Sequence, residues 1–81
     1  MNISLIKGSF ANKEAIDILT QLVNVKIKYH ENKIHHSHNE EDIKMRERRI
    51  KELQKDLFEL RNYIQHQKNN ISLHCHVELS K

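Results

Sequence analysis

The sequence carries seven histidines among 81 residues, and they fall into groups that could do chemistry. His30, His35, His36 and His38 crowd one stretch, with Glu31 among them and Glu40, Glu41 and Asp42 directly after. Imidazole and carboxylate at that density suit Zn²⁺, Ni²⁺ or Cu²⁺. Neighbours such as His35 and His36 seldom converge on one ion, however, and the spacing matches no established metal motif. The expectation is therefore a polar, solvated segment with no assigned metal ligand. A second group, His74 and His76, sits two residues apart with Glu78 next in phase. On a strand all three would point to one side, where alternation already demands polar residues. A metal- or pH-responsive protein built on these histidines is one alternative reading of the chain.

The remaining chemistry is sparse. Cys75, the single cysteine, excludes an intrachain disulfide and any multi-cysteine zinc site. It lies on the apolar side of its segment, with no evident base, and reads as a small hydrophobe. One glycine is too few for a P-loop or a dinucleotide fingerprint. No Ser/His/Asp context and no cofactor motif is present, so the expectation is a non-enzymatic protein without a cofactor. Lys44, Arg48, Lys51 and Lys55 follow i, i+4, i+7, i+11 and would form a ridge along a helix, which could track a phosphate backbone. Interspersed Glu47, Glu52, Asp56 and Glu59 weaken its field, and four aromatics give no stacking platform. A nucleic-acid binder is a second alternative, ranked below a solvated, salt-bridged helix flank.

The formal charge of +3 is too mild to imply nucleic acid by itself. Ile3, Leu5 and Ile6, interrupted by Lys7, are too few for a secretory signal, and no apolar run could span a bilayer. The expectation is a soluble, cytoplasmic protein with no membrane partner.

Five segments must position these residues. Ile3 and Leu5 alternate with Asn2 and Ser4, predicting a strand over about 2–7 that stops at Gly8, where glycine would allow a sharp corner. Ser9 or Asn12 can cap a following helix, with Glu14 in its first turn. The helical period over about 12–34 places Ala15, Ile16, Ile18, Leu19, Leu22, Val23, Val25, Ile27, Tyr29 and Ile34 on an arc of about 200°, more than one neighbouring helix needs. Residues 35–39 read as the tip of a helical hairpin, with Asn32 and Asn39 suited to a left-handed turn. A second helix spans about 40–67. Ile43, Ile50, Leu57 and Ile64 recur every seven residues with Leu53 and Leu60 between them, a coiled-coil seam broken at its start by Arg46. Asn69 and Asn70 offer a helix stop. Residues 71–79 alternate strictly, with Ile71, Leu73, Cys75, Val77 and Leu79 on one side.

The resulting expectation is one domain of α+β class, mainly α. An antiparallel two-helix hairpin is flanked by short N- and C-terminal strands that pair antiparallel at its base. A lone two-stranded ribbon is marginal in water, and a thin hairpin buries little. A second copy is therefore expected, as a homodimer or tetramer, over Ile16, Leu19, Leu22, Val23, Ile27, Ile50, Leu53, Leu57, Leu60 and Ile64. Phe58, Tyr63 and Met45 lie off the seam and could meet an unidentified protein partner. Function would then lie in assembly, as a structural or protein-interaction module.

Overall fold

The computed structural model describes every residue from Met1 to Lys81. Its elements run β1 (Asn2–Phe10), α1 (Asn12–His35), α2 (Glu40–Gln65) and β2 (Ile71–Glu78). The two strands form one antiparallel ribbon and the helices an antiparallel hairpin above it, so the α+β, mainly helical reading holds.

The ribbon runs three residues further at its N-terminal strand than alternation from Ile3 and Leu5 suggests. Its register pairs Asn2 with Glu78, Ile3 with Val77 and Ser4 with His76, then slips so that Ile6 faces Cys75. Leu5 is the extra residue of a β-bulge. The bulge resolves a phase conflict in the sequence. Ile3 before it and Ile6, Gly8 and Phe10 after it all join the face that carries Val77, Cys75, Leu73 and Ile71. Gly8 is thus not the strand-to-helix corner. It sits mid-strand opposite Leu73 with no positive φ, and the Phe10 ring lies 3.7 Å from where its Cβ would be. The aromatic ring covers the gap that the missing side chain leaves.

The corner itself is Ala11, extended at φ −62°, ψ 153°. Neither Ser9 nor Asn12 caps α1. Glu14 instead reaches back so that its Oε1 accepts the Ala11 N–H at 3.3 Å. Asn12 has another use: its Nδ2 donates to the Gln67 carbonyl at 2.8 Å, tying the start of α1 to the chain leaving α2.

No residue in the chain has a positive φ, so the asparagines do not supply left-handed turns. Asn39 is extended and caps α2, its Oδ1 accepting from the N–H groups of Glu41 (2.9 Å) and Asp42 (3.1 Å). The helix C-termini use histidine rings in place of glycine. The Nδ1–H of His36 donates to the Asn32 carbonyl at 2.8 Å, and that of His66 to the Asn62 carbonyl at 2.6 Å. A ring donor four residues on satisfies a carbonyl that would otherwise lack a partner.

The molecule is one layer thick, 47 × 32 × 13 Å, with a radius of gyration of 15.3 Å where a compact chain of this length would have about 12 Å. Only Ala15, Leu53 and Ile64 are buried. The accessible surface is 6810 Å², about a third above the roughly 5,100 Å² expected of a compact 9.7 kDa monomer. The ribbon touches the helices sparingly, which leaves its apolar face half-exposed.

Candidate functional site

The seam between the helices is apolar except at one layer, and that layer is the most distinctive chemistry in the fold. Arg46 occupies the seam position between Ile43 and Ile50 and is tucked in, its side chain 19% exposed. Its Nε donates to the Asp42 carboxylate at 3.2 Å, and its Nη1 to His30 Nδ1 at 3.1 Å. A guanidinium can only donate, so His30 Nδ1 is the acceptor and the ring proton sits on Nε2. Nε2 is buried and has no partner. Burial holds the His30 pKa below 6.5, and the positive charges of Arg46, Lys26 and Arg49 lower it further. Tyr29 flanks the layer, edge-on to His30 at 5.4 Å and beneath the Arg46 guanidinium at 5.9 Å and the Lys33 ammonium at 5.7 Å.

Beside this layer a notch of about 430 Å³ opens between the helices. Lys26 and His30 of α1 and Met45, Arg46, Arg48, Arg49 and Glu52 of α2 line it. Glu52 is engaged by Arg49, Nη1 to Oε2 at 2.9 Å. A second depression, of about 380 Å³, lies along α2, bordered by Gln54, Leu57, Phe58 and Arg61. With about 100° per residue, Gln54, Phe58 and Arg61 fall on the opposite flank of the α2 stripe from Met45, Arg49 and Glu52.

The histidines that the sequence groups together are separated by the fold. His30 enters the seam, whereas His35, His36 and His38 are exposed at the tip and His36 serves as a helix cap. His74 and His76 lie on the polar face of the ribbon, rings edge-on at 6.2 Å, opposite Lys7 and Ser4. Nowhere do three His, Cys, Asp or Glu side chains converge on a point that could hold an ion. Cys75 is half-buried on the apolar ribbon face.

Lys44, Arg48, Lys51 and Lys55 are all exposed along α2, and only Arg48 borders the notch. The notch draws instead on Lys26 and Arg49, which belong to no regular basic spacing. The signal for them was Arg46, a charged residue where the heptad calls for an apolar one, directly across from a histidine in the partner helix. Of the expected assembly residues, Ile16, Leu19, Leu22, Val23, Ile27, Ile50, Leu57 and Leu60 are half-buried, each with part of its surface open. Leu53 and Ile64 are buried inside the monomer and offer no surface to a second copy, because the hairpin itself closes over that side of the seam. Val25, Tyr29, Met45, Phe58 and Tyr63 are more than half exposed, with Phe58 the most open of the five at 72%.

No helix is long and apolar enough to cross a membrane. No family model matches the chain, and no match was found among the curated proteins or the solved structures.

Proposed function

We propose that this chain is a small non-enzymatic structural module, cytoplasmic in location, that acts as a homodimer. The observation that carries the reading is the unburied surface. A flat layer with three buried residues and an accessible area of 6810 Å² exposes about 1,700 Å² more than a compact monomer of its mass. Hiding that excess on each of two copies would bury about 3,400 Å², within the range of obligate homodimers. Two surfaces suit the contact. One is the apolar ribbon face of Ile3, Ile6, Phe10, Leu73 and Val77; the other is the broad side of α1 around Ile16, Leu19, Leu22, Val23 and Ile27, extended by Leu57 and Phe58.

Sedimentation equilibrium tests the proposal. The expected result is a dimer mass for the unmodified chain and dissociation to a monomer in Phe58→Glu and Val77→Lys. Phe58 is so exposed within one chain that its replacement removes little intrachain packing. A chain that stays a folded monomer at every accessible concentration refutes the reading.

A further inference from the structure

Charge in the notch beside the polar seam layer is unbalanced in a specific way. Of its cations, Arg46 is matched by Asp42 and Arg49 by Glu52. Lys26 and Arg48 have no acidic partner within the chain. The surplus is two positive charges, presented by side chains from both helices around a concavity of about 430 Å³. Three of the lining cations, Lys26, Arg46 and Arg49, also lie close enough to His30 to press it towards its neutral form, and Arg48 borders the same concavity.

We infer that the notch between Lys26, Arg48 and Arg49 is a binding site for a dianionic phosphate group, carried by a small phosphomonoester or by inorganic phosphate. A carboxylate would leave one cation unmatched, whereas a phosphomonoester carries about −1.5 to −2 near neutral pH. Arginine offers the two-pronged donor geometry that phosphate oxygens accept, and lysine adds a point charge. The exposed Met45 side chain on the rim gives the organic part of a monoester an apolar surface. The Arg49–Glu52 bond fixes one guanidinium at the site before any ligand arrives. Other groups around His30 are accounted for: Tyr29 and Lys33 stack on its own helix, and Asp42 is held by Arg46.

The test is a titration of the full chain with inorganic phosphate, with chloride at matched ionic strength as control, read by ³¹P and histidine ring ¹H NMR. Saturable binding is expected, weakened about tenfold or more in Lys26→Gln and in Arg48→Gln, the loss of one charge-assisted bond each. Lys55→Gln, on the exposed ridge away from the notch, is expected to bind as the unmodified chain does. A dianion in the notch is also expected to raise the His30 titration midpoint, a readout that a change in folding alone does not give. Circular dichroism checks that each variant is folded. A parallel arm compares a short oligonucleotide with and without a 5′ terminal phosphate. Preference for the phosphorylated form supports the monoester reading. Equal binding of both forms, equal weakening by Lys55→Gln, or an unmoved His30 midpoint at saturating phosphate overturns it.

Discussion

The polar layer of the hairpin makes a sharp energetic prediction. His30→Leu combined with Arg46→Leu completes the heptad seam between Ile43 and Ile50 with apolar side chains. Removing the unpaired, buried Nε2–H recovers about 1–3 kcal/mol. Packing two leucines where an imidazole and an arginine stem lie adds about 1 kcal/mol or more. Against this, the partly exposed Arg46–Asp42 pair contributes under about 1 kcal/mol, the Arg46–Tyr29 stacking about 0.5–1 kcal/mol, and the Arg46–His30 hydrogen bond about 0.5–1.5 kcal/mol. The net is a stabilisation of about 1 kcal/mol, which raises Tm by about 4–8 °C for a domain of this size. Arg46→Leu alone is expected to act in the opposite direction, by about 1–2 kcal/mol, because it leaves both ring nitrogens of His30 without partners. The assay is thermal and urea unfolding followed by circular dichroism at one fixed protein concentration, since the proposed dimerisation would link stability to concentration. A double variant less stable than the unmodified chain, or single effects that simply add, would refute the reasoning, because residues in one network must couple.

Three further outcomes follow from the same geometry. His30 is neutral in the folded chain with its pKa held below 6.5, so the unfolded chain takes up a proton first as pH falls; stability declines as pH drops from 6.5 through the folded value and is level above that window, and His30→Gln removes this share of the slope in unfolding measured against pH. Asn39→Ala removes the acceptor for two N–H groups at the start of α2 and is expected to cost about 1 kcal/mol in urea unfolding. Gly8→Ala is expected to be tolerated or to stabilise by up to about 1 kcal/mol, since the new Cβ meets only the Phe10 ring at ordinary contact distance and no positive φ is required; a loss of stability there would show that the strand assignment around Gly8 is wrong.

Periodicity made the architecture legible and punctuation did not. The seven-residue recurrence of Ile43, Ile50, Leu57 and Ile64 and the alternation from Ile71 onwards each reflect a face that must be apolar along its whole length, so many residues report the same fact. Boundaries rest on single residues with interchangeable solutions. Gly8 looked like a corner because glycine permits one, yet an extended Ala11 suffices when the helix starts at once. Leu5 appeared to belong to the strand's apolar set because a bulge cannot be recognised before the partner strand's register is known. Asn32 and Asn39 suggested left-handed turns and Asn69 and Asn70 a helix stop, while His36 and His66 close the helices by a side-chain bond that leaves φ negative. For the site, the sequence grouped His30 with the tip histidines by proximity along the chain. Helical geometry separates them, since His30 faces the seam and its neighbours in sequence face water.

A charged layer in an otherwise apolar seam weakens a hairpin that has little else to hold it, so its presence calls for a physical role. Register is one. Arg46 can bond Asp42 and His30 together only when α1 and α2 align as they do, and a slip by one turn would strand a guanidinium among leucines and isoleucines at a cost of several kcal/mol. A seam of identical aliphatic residues has no such penalty and could slide. The layer also gathers positive charge at the notch, because an arginine held in the seam projects its field there while Lys26, Arg48 and Arg49 supply donors on the rim. Alignment and charge thus come from one substitution in the heptad. Apolar replacement of His30 and Arg46 therefore separates two quantities that usually move together: stability should rise, while the helix alignment should lose its uniqueness, seen as more than one amide resonance per residue.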